Sequence, residues 1–294
     1  MQPSPELMTT TEVAEYLRLG ERKIYELARE QTIPCVRITG KLLFPRQAID
    51  LWVMNHLEGD QRLAREAPAI LAGSHDPLLE WAVRASESDL ALLLDGSMDG
   101  VRRLLENQAR VIGFHLIHEN GTFNDPVRCG LGGLRDLVVI EWARRNQGLI
   151  VAPGNPLGIH GVRDLVRPDV RVVRRQQEAG ADVLLRHLLT EEDIPLAGLR
   201  VLGRSALNHD DLALDVYQGN ADVGLGIETS AQRHGLHFIA LCQERFDLAM
   251  RRRVYFEQPI QSLLSFARTK YFAANANALG GYDLSGLGTV RYNA

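Results

Sequence analysis

The sequence predicts an α/β protein in two unequal parts: a small winged helix-turn-helix at the N-terminus and a much larger body of alternating strands and helices. Three observations carry this. Between Thr9 and Pro45, two short helical stripes, a glycine turn and a basic hairpin follow one another. From Ile70 onward the pattern changes to short apolar strands, each ending in a small-residue turn and leading into an amphipathic helix. The bulk numbers fit both parts, since 294 residues at 45% hydrophobic and 24% charged suffice for two or three ordinary cores.

The opening segment reads element by element. Thr10 or Thr11 can cap a first helix, with Glu12 in the first turn where the helix dipole favours an anion. Val13, Ala14 and Leu17 form its apolar stripe. Gly20 supplies a turn, and Ile24, Leu27 and Ala28 stripe a second helix from Glu21 to Glu30. Val36 and Ile38, then Leu42 and Phe44, alternate around Thr39-Gly40, the pattern of a hairpin wing. Pro45 opens a third helix that returns Ile49, Trp52 and Val53 to the core.

Charge marks a binding face on this segment. The whole chain carries −4, so any affinity for a polyanion must be local. Between Arg18 and Arg46, seven cations (Arg18, Arg22, Lys23, Arg29, Arg37, Lys41, Arg46) stand against three anions (Glu21, Glu26, Glu30), a local +4. Arg22, Lys23 and Tyr25 lie early on the second helix, where a recognition helix meets base edges and phosphates, and Lys41 lies at the wing tip. Arg18, Arg29 and Arg37 complete the expected DNA-binding set. From Leu7 to Leu57 the chain resembles the excisionase/MerR-type winged helix-turn-helix, through "TTTEVAEYL" and "IPCVRITGKLLF". The resemblance implies double-stranded DNA as partner. Residues 1–57 are therefore read as the DNA-binding domain, and 58–69, rich in charge and poor in apolar periodicity, as a linker.

In the larger part, "AILAGSHDPLLEWAV" is a strand, a Gly-Ser turn and a helix. "LALLLDGSMDGVRRLLENQ" repeats the unit, and "VIGFHLI" is the next strand. "GLIVAPGNP" is a strand ended by Pro and Gly, and "VRVVRRQQEAGADVLLRHLL" is again strand, turn and helix. "ALDVYQGNADVGLGI" gives a helix and a strand, and "LHFIALCQERFDLAMRR" at least one further strand. Gly73-Ser74 and Gly96-Ser97 each close a strand and open a helix, and Ala179-Gly180-Ala181 is a third small-residue helix start. Such starts present free N–H groups and positive dipole, the serines add hydroxyl donors, and open α/β sheets bind ligands at strand ends of this kind. Ser74, Ser97, Ala179, Gly180 and Ala181 are thus expected to hold a small anion. His115, near a strand end, and Glu228, after the strand "VGLGI", are added as cleft residues.

These segments, from Ile70 to the low 270s, resemble the periplasmic-binding-protein-like domains found behind cytoplasmic helix-turn-helix domains. The resemblance implies a type II fold, two α/β lobes with a ligand between them. It puts lobe 1 at 70–150 and 241–294 and lobe 2 at 151–240, with chain crossings near Val151–Pro153 and Leu241–Glu244. Molybdate- and tungstate-receptor cousins make one of those oxyanions the first expected ligand, with a molybdopterin-type or other small anionic metabolite second. Where relatives often read G-S/A-G-T-R, this chain has Ala179 to Val183, and Asp182 there disfavours a nearby anion.

Other signals narrow the function class. Cys35, Cys129 and Cys242 offer no paired spacing, as expected of reduced thiols in a cytoplasm. The N-terminal stretch lacks the pattern of a secretory signal, and no run approaches a membrane span. His115 and His118 would face opposite sides of a strand, so joint metal ligation is not expected. Asn208, His209, Asp210 and Asp211 invite a metal or catalytic reading, but a helix N-cap cluster before an apolar stripe explains them as well. No nucleophile elbow, P-loop or zinc motif is present. The expectation is a cytoplasmic, non-enzymatic, ligand-responsive transcriptional regulator. It needs no catalytic residue, metal or cofactor, and acts as a homodimer or homotetramer because paired half-sites need at least two copies. The alternative is an enzyme or accessory protein of cofactor metabolism on the same scaffold, for which His115, Asp76 or Glu228 would be the acid or base.

Overall fold

The computed structural model describes residues 7–38, 40–55 and 66–294, and it divides into two compact units, Met1–Glu66 and Ala67–Ala294. Most of the expected linker, and Thr39 in the wing turn, lie outside the described residues.

The first unit contains β1 (Leu7–Met8), α1 (Thr10–Leu17), α2 (Glu21–Arg29), β2 (Val36–Ile38), β3 (Lys41–Pro45) and α3 (Arg46–Asn55). The cap of α1 is Thr9, one residue before the expected threonines; its side chain and that of Glu12 form a reciprocal capping box. Arg18 closes α1 in the left-handed region at φ 54°. Val13, Ala14, Ile24, Ala28, Ile33, Phe44 and Ile49 form the core with Met8. The strand Leu7–Met8 pairs with β3 to give a three-stranded sheet in the order β1-β3-β2, an element too short for the periodicity to have revealed. Val36 and Ile38 remain exposed, so only the β3 half of the hairpin feeds the core.

The second unit is built on one ten-stranded mixed sheet. Its first third follows the expected β-α units: β4 (Ile70–Gly73), α4 (Pro77–Ala85), β5 (Ala91–Leu93), α5 (Ser97–Leu105) and β6 (Val111–Phe114). Two fifteen-residue strands, β7 (Leu137–Val151) and β11 (His237–Arg251), run antiparallel along almost their whole length. Between them in sequence come β8 (Arg171–Arg175), α6 (Gly180–Glu191), β9 (Arg200–Ala206), α7 (His209–Tyr217), β10 (Val223–Ile227) and α8 (Glu228–Arg233). Helices α9 (Arg252–Tyr255), α10 (Gln258–Ala267) and α11 (Lys270–Leu279) and strands β12 (Tyr282–Asp283) and β13 (Val290–Asn293) complete the unit.

The sheet order β5-β4-β6-β11-β7-β10-β8-β9 makes the two lobes. One end of β7 pairs with β12 and β13, and the other, Gln147–Val151, pairs with β10. The chain therefore crosses between lobes inside continuous strands, between Arg145 and Gln147 on β7 and around the bulge at Ala240/Cys242 on β11. The first crossing comes earlier than the expected Val151–Pro153, because the Pro-Gly break marks the end of β7, whereas a crossing within a paired strand needs no breaker. Separate apolar cores fill the lobes, around Trp142, Phe246 and Phe272 in one and around Leu149, Leu184 and Leu225 in the other. Among the described residues, no helix is long and apolar enough to cross a membrane.

Candidate functional site

The parallel strands of lobe 1 end at Gly73 and Phe114, so Ser74 and His115 leave the sheet side by side. Gly73 sits at φ +108°, and a Cβ there would come 2.2 Å from the Gly113 carbonyl oxygen, which is why this turn needs glycine. Across the cleft, lobe 2 contributes Arg175 at the end of β8, Gly180 at the start of α6 and His209 as the first residue of α7. The strand period of two puts Arg145 and Gln147 on one face of β7. All of these side chains except glycine's absent one are buried, as are Glu244 and Asp76.

Their hydrogen bonds form one connected chain. The Ser74 hydroxyl lies 2.8 Å from His115 Nε2, and His115 Nδ1 lies 2.6 Å from Glu244 Oε2. Arg145 donates from Nε to Glu244 Oε1 at 2.8 Å, binds the same carboxylate through Nη2, and donates from Nη1 to Asp76 Oδ2 at 3.0 Å. Asp76 also caps α4 through Leu79 N–H and accepts from the Tyr282 hydroxyl at 2.8 Å. The His115 backbone N–H donates to Ser97 Oγ at 3.2 Å. The Arg175 guanidinium, in contrast, donates to the Ala206 and Leu207 carbonyls and the Gln176 amide oxygen, and bonds to no carboxylate among the described residues. His209 is fully buried, and neither ring nitrogen has a hydrogen-bond partner among the described residues. Its ring centroid lies 6.4 Å from that of His115. The Gln147 amide lies beside Glu244 and helps keep it ionised, without a well-formed hydrogen bond of its own.

The lobes meet at this cluster. A Cβ on Gly180 would come 2.2 Å from the His115 carbonyl oxygen and 2.7 Å from its ring, and one on Gly96 would come 3.1 Å from the Glu178 carbonyl oxygen. Outside the contact is a groove of about 430 Å³, lined from lobe 1 by His75, Glu80, Arg84, Leu92, Leu94 and Asp95 and from lobe 2 by Gln176, Leu207 and Asn208. His75, Gln176 and Asn208 are the chain neighbours of buried Ser74, Arg175 and His209.

The electrostatics follow from burial and from who faces whom. Burial alone would raise the Glu244 carboxyl; the Arg145 and His115 side chains outweigh it and hold it at about 2. Burial lowers His115, and Arg145 adds to that against the pull of Glu244, so the ring is neutral. Burial and the Arg145 charge bring Arg175 down to about 10. Burial holds His209 well below 6.5, and the Arg175 and Arg145 charges push in the same direction. The potential at His209 is therefore positive, and the positive end of α7, a nine-residue helix, adds to it.

A pH dependence follows. Neutral His115 and His209 must take up protons when the chain unfolds below their ordinary value of 6.5. Glu244, ordinarily 4.5, stays ionised in the fold to about 2. At these three groups the unfolded chain binds more protons. Asp247, raised by burial to about 6, opposes them in part between about pH 4 and 6 but is a single group against two histidines, so stability is fullest above pH 6.5 and is lost on acidification. The melting temperature, followed from pH 8 to pH 3.5, should fall from about pH 6.5 and more steeply below about pH 4.5. A flat profile across pH 5–7 would contradict neutral buried histidines.

Of the residues expected from sequence, Ser74, Ser97, His115, Ala179 and Gly180 meet at the lobe contact. Ala181 does not: its methyl packs into the lobe 2 core. Glu228 is also elsewhere. Its carboxylate takes the Asn146 amide at 2.8 Å and the Gln232 amide at 2.9 Å, and Asn146 is on the face of β7 opposite Arg145 and Gln147. Asp182 is neutralised by Arg174 and Arg186, which removes the expected repulsion of an anion. Arg145, Gln147, Arg175 and Glu244 were missed, and His209 was named only within the Asn208–Asp211 cluster. The available signal was a charged or polar residue inside otherwise apolar strand sequence, as in "VVIEWARRNQGLIV". In the first unit, Arg18, Arg22, Lys23, Tyr25, Arg29, Arg37 and Lys41 are all exposed, and Lys23 pairs with Glu26 at 3.1 Å. Among the described residues, no group of three His, Cys, Asp or Glu side chains is arranged to hold a metal ion.

The family model for PBP superfamily domains matches residues 80–268, and that for a helix-turn-helix domain matches residues 7–56. The uncharacterised Bacillus subtilis (strain 168) protein YvgK is 26% identical over 300 residues, covering 96% of each chain. A substrate-binding protein ascribed to a phosphate ABC transporter of Clostridium perfringens, solved with phosphate bound, superposes with a TM-score of 0.53 at 12% identity over 71% of this chain and 96% of its own. A mutant of Corynebacterium glutamicum OxyR with hydrogen peroxide bound gives 0.51 at 12% identity, over 92% of this chain and 89% of its own. At such identities these likenesses are of fold.

Proposed function

Because the chain belongs to the PBP superfamily and carries a helix-turn-helix domain ahead of that fold, we propose that it is a DNA-binding regulator switched by a small anion held between the lobes of the second unit. The observation that carries this reading is His209: a fully buried imidazole with no hydrogen-bond partner among the described residues, beside the buried Arg175, whose guanidinium hydrogen bonds among those residues go to carbonyl and amide oxygens. Such a group costs stability unless something fills its hydrogen-bonding capacity. An anion between His209, Arg175 and the α7 start from lobe 2, and Ser97 from lobe 1, would do so. Molybdate and tungstate belong to this class of ligand; nothing in the cluster singles them out. By binding both lobes the anion favours their closed arrangement, and coupling to DNA affinity requires only that the closed form bind DNA differently. The regulator acts as a homodimer or homotetramer, so that two recognition helices meet two half-sites.

Calorimetry of the full chain against inorganic phosphate, sulfate, molybdate, tungstate and small carboxylates tests the pocket. At least one should bind, and His209→Ala should weaken it about tenfold or more, the loss expected for a hydrogen bond to a charged group. Absence of binding across the panel, or binding indifferent to His209→Ala, contradicts the assignment.

The DNA face is tested separately. Arg22→Ala with Lys23→Ala should weaken binding to any duplex and lower the slope of log K against log salt by about 2, one unit for each phosphate no longer neutralised. An unchanged slope would place the interface elsewhere.

The rival enzymatic reading draws on the Ser74–His115–Glu244 chain, whose order is that of nucleophile, base and carboxylate. Against it, the Ser74 backbone N–H is engaged by the Gly113 carbonyl and so offers no oxyanion donor, and Asp76 is fully bonded as a cap and ion-pair partner. Hydrolysis of an activated ester that disappears in Ser74→Ala would favour the rival.

A further inference from the structure

The two cleft serines do not offer the ligand the same chemistry. Glu244 is an ionised carboxylate and can only accept, so the 2.6 Å contact from His115 Nδ1 is a donation and that nitrogen carries the ring proton. The ring is neutral, so Nε2 is bare and can only accept. The 2.8 Å contact between Nε2 and Ser74 Oγ is therefore filled by the serine proton. Ser74 is left with lone pairs alone. Ser97 is the opposite case: its oxygen accepts the His115 backbone N–H at 3.2 Å, and its own proton is free to donate. His115 thus engages both hydroxyls, setting Ser74 as an acceptor through its ring and leaving the Ser97 proton available by donating to that oxygen through its backbone N–H. This reverses the sequence expectation that both serines serve as donors.

Resting on the proposed interlobe anion site, we infer that Ser74 is a specificity-determining acceptor, and that the ligand is an oxyanion bearing an O–H or N–H donor beside its charged oxygens. Hydrogen phosphate and α-hydroxycarboxylates have this form. Sulfate, molybdate, tungstate and α-ketocarboxylates do not, and each would set an oxygen lone pair against those of Ser74. Two features of the surroundings strengthen the selection. The polarity of His115 is locked, because Glu244 is itself held by two bonds from Arg145, which Asp76 anchors in turn. The site is also buried, so water does not replace a missing ligand donor at full value. A site built to receive a donor rejects the analogue that lacks one far more strongly than a packing mismatch would.

Matched pairs test this at constant pH near 7.5. Calorimetry on the full chain compares phosphate with sulfate, molybdate and tungstate, and lactate with pyruvate; phosphate and lactate separate an inorganic source from an organic one. The donor-bearing member of at least one pair should bind ten or more times tighter than its partner. In Ser74→Ala that ratio should fall to near one, whereas His209→Ala should weaken every member and preserve the ratio. Melting curves establish that both variants fold, and the wild-type ratios decide the matter without them. If sulfate, molybdate, tungstate or pyruvate binds as well as its donor-bearing partner and the binding needs His209, the anion site stands and the assignment of Ser74 is overturned. A ratio that survives in Ser74→Ala also overturns it. If no member binds, the anion site falls and this inference falls with it.

Discussion

Replacing Arg145 with methionine should cost the second unit about 3–5 kcal/mol, the usual result of removing one partner from a buried ion pair. Arg145 is 1% exposed and is the cation that pairs with both Glu244 and Asp76. Methionine fills much of the same volume, so a cavity contributes little. What remains is two carboxylates buried at 0% exposure, and the Glu244 side has lost the group that holds it near a pKa of 2. For a unit of this size the corresponding drop in melting temperature is roughly 10 °C or more. Urea unfolding measures the free energy directly. Arg145→Met combined with Glu244→Gln should recover part of the loss, because fewer charges are stranded. A loss below about 1 kcal/mol would mean that water reaches and screens the pair, as at a protein surface.

The second large effect is on ligand binding. Gly180→Val should weaken binding of whichever panel anion the wild type takes by about 100-fold or more, while leaving each lobe folded. The backbone at Gly180 is not in the left-handed region, so the substitution strains nothing locally. The obstacle is across the cleft, where the new Cβ would meet the His115 carbonyl oxygen at 2.2 Å and its ring at 2.7 Å. A backbone oxygen cannot swing aside, so relief must come from parting the lobes. A closed-state penalty of about 3 kcal/mol corresponds to about a hundredfold in apparent affinity. Binding in Gly180→Val equal to that of the wild type would show that closure is not required.

How far the sequence predicted this molecule depends on what the physics writes locally. The helix-turn-helix was legible because caps, turn residues and 3.6-residue stripes are local signals, and Glu12, Gly20 and the Ile24–Ala28 stripe all act within a few residues. The positions of Ser97 and Gly180 as first residues of helices were legible for a similar reason, since small residues between strand and helix mark helix starts; Ser74 lies two residues before the Asp76 cap of its helix. The long strands were not. β7 is buried on both faces, so it has no alternation to read, and its crossing between lobes is set by which partner it pairs with at each end. The charged centre of the site was hidden because Arg145 and Glu244 are 99 residues apart and meet only through the pairing of β7 with β11. His209 was read as part of a capping cluster. Asn208 does cap α7, by accepting from Asp211 N–H, and this left the imidazole's role unaddressed. Ala181 and Glu228 failed for the converse reason: each is next to a legible turn, and its side chain points away from the cleft.

On the reading proposed above, a small anion between the lobes changes how the chain binds DNA. The direct measurement is fluorescence anisotropy of the full chain on a duplex selected by the protein itself, titrated with phosphate, sulfate, molybdate, tungstate, lactate and pyruvate in turn. The expected result is that at least one anion shifts the apparent DNA affinity fivefold or more, within the usual range of allosteric coupling, and that the shift is lost in His209→Ala and in Gly180→Val. DNA affinity that no anion moves, or a shift of equal size in both variants, would contradict it.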